Sequence, residues 1–185
     1  MKYIDKDKIK EWMKEILLYA VFFLIVTIIL TKVLLIGNVS SGSMEPTLKV
    51  GNKVLVNGLA YTFEEPKRGD VILFEFESLQ LIFTKRIIGL PGEKISFQKG
   101  EVYINDELLQ EDYLEKDVDT LSIQSFVIPE NCYFVMGDNR EESLDSRFWR
   151  EPYVAKESIM GKVFLQIPLV QIKEKMGSQK FEKEK

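Results

Sequence analysis

The pattern of apolar positions divides the chain near residue 37. Upstream, apolar residues come as a block: sixteen uncharged residues, Ile16 to Thr31, lie between Glu15 and Lys32 and are rich in Ile, Leu, Val and Phe. If Lys32 snorkels, the block continues through Val33-Leu34-Leu35-Ile36 and reaches 21 residues, about 31 Å of helix and enough to span a bilayer. Ahead of it Ile9, Trp12, Met13 and Ile16 repeat at helical spacing among Lys2, Lys6, Lys8, Lys10 and Lys14. Such a lysine-rich flank predicts a cytoplasmic N-terminus, with Trp12 at the interface and the chain from about Gly37 onward across the membrane. A cleavable leader ending near Ser41-Gly42-Ser43 is the alternative; an apolar run longer than the usual h-region of about 7 to 15 residues favours a retained anchor.

Downstream the pattern shortens to strands. Val54-Leu55-Val56, Val71 to Phe76, Leu79 to Ile88, Ile95 to Phe97, Val102 to Ile104, Phe126 to Ile128, Tyr133 to Met136 and Val163 to Ile167 are β-branched or aromatic runs. Arg68-Gly69-Asp70, Gly89-Leu90-Pro91-Gly92, Lys99-Gly100, Asn105-Asp106 and Gly137-Asp138-Asn139 separate them with turn chemistry. The class expected is mainly β, an antiparallel barrel or sandwich preceded by one transmembrane helix.

Charge refines these boundaries. Glu101 to Asp119 holds eight acidic residues and one lysine, which predicts a solvated insertion, about 99–125, on the core. Residues 173–185 alternate Lys and Glu with few apolar anchors and read as a frayed tail. The expected organisation is residues 1–15 cytoplasmic, 16–36 membrane helix, 37–172 extracytoplasmic and 173–185 tail.

Composition excludes several function classes. A net charge of -4 gives no basic surface for nucleic acid. One cysteine, Cys132, allows no intrachain disulfide, and the absence of histidine leaves no ligand set for zinc. No metal and no cofactor is expected. Without histidine, a nucleophilic serine needs another base, and lysine is the replacement.

Three polar blocks carry candidate chemistry. Ser41-Gly42-Ser43-Met44-Glu45-Pro46-Thr47-Leu48 follows the apolar run directly. Gly42 permits an unusual backbone angle before Ser43 and Pro46 fixes the chain after it, although Ser-Gly-Ser is also ordinary linker composition. In the strand around Phe83-Thr84-Lys85-Arg86-Ile87-Ile88, alternation puts Lys85 on one face with Phe83 and Ile87. Burial there would lower its pKa toward a usable neutral amine, whereas a lysine at a sheet edge would snorkel. In Met136-Gly137-Asp138-Asn139-Arg140-Glu141-Glu142-Ser143-Leu144-Asp145-Ser146-Arg147, the charges of Asp138, Arg140, Asp145 and Arg147 can hold a rigid loop. Alone, that block reads equally as a surface loop; Ca²⁺ would want denser carboxylates.

Together with Arg68-Gly69-Asp70-Val71-Ile72-Leu73-Phe74, these blocks give four ordered motifs across roughly residues 39–164. They resemble the type I signal peptidases, membrane-bound serine proteases that use a Ser-Lys dyad, in the small single-anchor form common in Gram-positive bacteria. The resemblance implies a β-rich catalytic core with a smaller inserted subdomain. Its implied activity is the removal of signal peptides from secretory precursors, after small residues of the Ala-x-Ala type, on the outer face of the plasma membrane. An apolar surface near the site would lie against membrane lipid.

It also implies roles. Ser43 would be the nucleophile and Lys85 the general base. The Ser41 hydroxyl and the Ser43 backbone N–H would form the oxyanion hole, and Ser143 would orient the Lys85 amine. Asp138, Arg140, Asp145 and Arg147 would support the site, while Val39, Met44, Leu48 and Phe83 would help line apolar pockets. Ser40 departs from the proline many relatives carry before Ser-x-Ser. Two rivals are a non-catalytic, membrane-anchored assembly protein that has lost the dyad and a self-cleaving repressor of related catalytic architecture. Retention of both Ser43 and Lys85 argues against the first, and an anchor where a DNA-binding segment would stand argues against the second.

Overall fold

A computed structural model of the chain describes residues 6–76, 80–114, 118–122 and 124–169. The tail expected at 173–185, Leu79 at the start of one expected strand, residues 1–5 and the Lys32 side chain invoked for snorkelling lie outside the described residues.

The first element is α1, Lys6–Val33, of 28 residues. Its apolar side chains face solvent on every side: Trp12, Met13, Ile16, Leu17, Leu18, Phe22 and Phe23 are each more than 60% exposed. Among the described residues, no helix is long and apolar enough to cross a membrane. The helix also ends before Ile36. Leu34–Asn38 forms strand β1, whose partner β2, Lys53–Asn57, takes its backbone groups in the register Leu34 to Asn57 through Asn38 to Lys53. An apolar run fits a strand or a membrane helix equally, and here the available ladder partner sets the boundary.

Among the described residues the body is two antiparallel sheets. β3 is Val71–Phe76, β4 Leu81–Gly89, β5 Lys94–Gln98, β6 Glu101–Ile104, β7 Glu107–Leu108, β8 Phe126–Val127, β9 Cys132–Met136, β10 Val154–Ala155 and β11 Ile159–Ile167. Seven strands run in the order β1-β2-β11-β3-β4-β9-β10 and four in the order β7-β6-β5-β8. The expected turns take left-handed backbone at Gly69, Gly92, Lys99, Gly100, Asn105 and Asp106. The four-stranded sheet includes β5 and β8, which flank residues 99–125 on either side.

The period of two in β3, β4 and β9 splits the core across both faces of the large sheet. Ile72 and Phe74 of β3, Ile87 of β4 and Val135 of β9 pack on one face. Ile88, Phe134 and Met136 face the other way and join Ile95, Val102, Ile104 and Phe126 of the small sheet. A third cluster, Met44, Leu48, Val54, Val56 and Leu73, seats the turn that follows β1. β4 is thus buried on both faces from Lys85 to Gly89.

Candidate active site

The turn carrying the two N-terminal serines is a short 3-10 helix, Gly42–Met44, entered from extended backbone at Ser41. Met44, 2% exposed, anchors it in the core, so the hydroxyls stand on a fixed support. The Ser41 and Ser43 hydroxyl oxygens are 3.3 Å apart. Gly42 does not take the unusual angle expected of it. Its φ lies outside the left-handed region, and an added Cβ would meet nothing closer than 3.8 Å. What holds the turn comes from a segment distant in sequence: the Asn139 N–H donates to the Ser43 carbonyl at 3.1 Å, and Asn139 Nδ2 donates to the Gly42 carbonyl at 3.2 Å.

Lys85 lies in the middle of β4, 2% exposed, in register with Ile72 of β3. Its ammonium nitrogen donates to Ser143 Oγ at 2.9 Å, and among the described residues it forms no ion pair. Desolvation by burial pulls its pKa down to about 8; Asp145 opposes this, Arg147 reinforces it and Asp138 opposes it. The contacts of the described residues include no direct hydrogen bond between Ser43 Oγ and Lys85. Such bonds are often long before substrate binds.

Gly137 joins the two halves. A Cβ there would sit 2.2 Å from Ser143 Oγ and 2.3 Å from the Ser43 carbonyl oxygen. The hydroxyl partner of Lys85 and the backbone of Ser43 therefore converge on one methyl-sized space, which any side chain would fill. Position 137 needs glycine for close approach, not for its backbone angle.

The loop 137–147 is held by buried charge. Asp145, fully buried, accepts from the Gly137 N–H at 2.9 Å and from Arg147 Nε and Nη2 at 2.8 and 2.9 Å. Arg147 Nη2 also donates to the Arg140 carbonyl at 2.7 Å. Ser146 Oγ accepts from the Val135 N–H at 3.0 Å and extends the edge of β9 by one side-chain rung. Asp138 receives a bidentate pair from Arg86, Nε at 2.8 Å and Nη2 at 2.6 Å, and the Thr47 hydroxyl as well. Asp138, Arg140, Asp145 and Arg147 are thus all buried.

Arg86 and Thr47 were not singled out by sequence reasoning, although alternation already turned Arg86 away from Lys85. Glu111 was missed for a clearer reason. Counted within an acidic segment it read as solvated, but its side chain is 9% exposed and paired with Arg140, itself fully buried. Among the apolar positions, Met44 and Leu48 are core residues with Val39 packed against them. Phe83 lies apart, stacked in a cluster with Phe74, Phe76 and Trp149.

Residues 9–167 match the family described as Signal peptidase, peptidase S26. The chain is 38% identical over 132 residues to a signal peptidase I of Leptolyngbya laminosa, covering 67% of this chain and 64% of the relative. It is 32% identical over 133 residues to a probable signal peptidase I-2 of Synechocystis sp., covering 69% and 60%. It is also 33% identical over 175 residues to a signal peptidase IB of Staphylococcus aureus strain COL, covering 85% and 88%. The matches thus span less than two thirds of the Synechocystis and Leptolyngbya proteins and most of the staphylococcal one.

Proposed function

Because the chain belongs to the signal peptidase family, peptidase S26, we propose that it is a membrane-anchored serine endopeptidase that removes signal peptides from secretory precursors with a Ser43–Lys85 dyad. The observation that carries this reading is the environment of Lys85. It is a buried lysine with a hydroxyl partner and no counter-ion among the described residues, its pKa lowered to about 8. A lowered pKa makes the neutral amine accessible near neutral pH, and that form gains as pH rises.

In the proposed reaction the neutral amine takes the Ser43 proton as Oγ attacks the scissile carbonyl, and the resulting ammonium delivers that proton to the leaving amine. The Ser43 N–H and the Ser41 hydroxyl receive the developing oxyanion; their turn is pinned at the Gly42 and Ser43 carbonyls, so little reorganisation is needed. Lys85 then activates the water that hydrolyses the acyl-enzyme, and Ser143 keeps the amine aimed through both halves.

Substrate would enter as an extended strand. β4 pairs with β3 from Leu81 to Arg86 but with β9 only from Arg86 onward, so Leu81–Thr84 has an open ladder edge among the described residues. Val39 on one side and Phe83 on the other, both half-buried, offer apolar walls suited to the small side chains of an Ala-x-Ala sequence, while Met44 and Leu48, expected to line the pockets, lie in the core beneath them. Anchoring by α1 is supported by the uncharged run Ile16–Thr31, by apolar exposure around the helix and by the family's membrane association in bacteria. An anchored enzyme meeting an anchored precursor works at high effective concentration, so weak pockets suffice.

Detergent-solubilised protein incubated with a precursor carrying Ala-x-Ala should release a mature chain whose new N-terminus, read by mass, follows that sequence. Ser43→Ala should remain folded and release none. Equal cleavage by the Ser43→Ala protein would remove the proposed nucleophile.

A further inference from the structure

We propose that Glu111 and Tyr113, on the inserted segment, are positioning residues for the reaction, gripping the start of the loop that carries Gly137 and Ser143. This inference rests on the peptidase reading above and adds to it a working role for the insertion.

Glu111 binds Arg140 through both carboxylate oxygens, Oε2 to Nη1 at 2.9 Å and Oε1 to Nη2. Arg140 in turn donates through Nε to the Gly137 carbonyl at 3.1 Å and through Nη1 to Thr120 at 2.7 Å. The Tyr113 hydroxyl donates to Glu111 Oε1 at 2.5 Å, and its ring lies under the Arg86 guanidinium, 3.9 Å from carbon to centroid. Arg86 holds Asp138, which accepts from Thr47 behind the Ser43 turn. One carboxylate and one phenol therefore reach residue 137 through Arg140 and residue 138 through Arg86.

Those two residues determine the site's geometry. Gly137 is the point on which Ser143 Oγ and the Ser43 carbonyl converge, and the next two residues bind the serine turn by side chain and backbone. Glu111 and Tyr113 touch Arg140 and Arg86 and not Lys85, so their effect is through placement. A buried arginine pair would also serve stability alone, but a purely structural pair has no need to end on the two residues that connect base and nucleophile. Displacement of about 1 Å at such a joint is enough to cost rate without affecting substrate affinity.

The test uses the full chain in detergent with a peptide carrying Ala-x-Ala ahead of the scissile bond. Glu111→Gln keeps the shape and loses the charge, and should lower kcat on the order of tenfold while KM stays within about twofold. Tyr113→Phe keeps the ring over Arg86 and should lower kcat less; it carries the test on the same terms should Glu111→Gln fail to fold. With Ser143 less firmly placed, water reaches Lys85, and the acid limb of kcat against pH should move upward from about 8. The charges facing Lys85, Asp145, Arg147 and Asp138, are unchanged in both variants. Wild-type kcat and acid limb in the folded variants, even with a lowered Tm, would overturn the positioning role. Activity persisting in Ser43→Ala in the same assay would instead refute the peptidase mechanism itself.

Discussion

Lys85 and Arg86 are adjacent cations on opposite faces of β4, and the protein treats them in opposite ways. Arg86 is over-supplied with partners: both oxygens of Asp138, the Gly69 carbonyl at 2.7 Å and the Tyr113 ring. Lys85 is as deeply buried but, among the described residues, has one hydroxyl as its hydrogen-bond partner. A buried cation costs free energy unless paired. On the Arg86 face that cost is offset, and the charge becomes a fixed strut. On the Lys85 face it is left standing, and the amine can lose its proton.

The most severe way to break this contrast is Lys85→Met, which removes the unpaired charge at similar volume. Precursor cleavage should fall about 10⁴-fold, the upper range for loss of a positioned base. Stability should move the other way. Lysine titrates near 10.5 in the unfolded chain and near 8 here, so between those values the unfolded chain binds the additional proton. Wild-type stability therefore rises with pH across that window, and below pH 8 the burial penalty is fully present. Lys85→Met should melt several degrees above wild type at pH 6, with the advantage gone by about pH 10.5. A variant less stable than wild type at pH 6 would show that the ammonium is compensated after all.

Ser143→Ala breaks the same face more gently. It leaves the amine buried but without its acceptor, a loss of about 1.5 to 3 kcal/mol for a hydrogen bond to a charged group. Turnover should fall on the order of a hundredfold, with KM little changed and the Arg86 network intact. Unchanged turnover would show that packing alone aims the amine.

Much of the Lys85 face was legible from sequence. Alternation placed Lys85 beside Phe83 and Ile87, the expected run Val71 to Phe76 is β3 residue for residue, and the missing histidine directed attention to lysine. Local periodicity carries that kind of information. Which side chains meet was less legible on either face, because the partners are distant in sequence: Ser143 is 58 residues from Lys85, Asp138 is 52 from Arg86 and Glu111 is 29 from Arg140. Counting charge within a segment places Glu111 in solvent; only the fold supplies the arginine that buries it. β1 was hidden for a related reason, since a strand in a long apolar run has no alternation to reveal it. β7 and β10, two residues each, are too short to leave a pattern.

The Arg86 face is sharpened by Arg86→Lys, the smallest effect of the set. Lysine keeps the charge and can reach one oxygen of Asp138, but it cannot make the bidentate pair, bond Gly69 and stack on Tyr113 together. Asp138 would still accept from Thr47, so the loop is loosened and not released. Turnover should drop about five- to tenfold and Tm by a few degrees, with KM near wild type, consistent with about 1 kcal/mol for the hydrogen bonding lost. Unlike Lys85→Met, this substitution keeps a charge on its face and should destabilise across pH 6 to 9 by the loss of bidentate geometry. If Arg86→Lys were instead neutral in both turnover and Tm, the charge alone would suffice on that face and the bidentate geometry would be incidental.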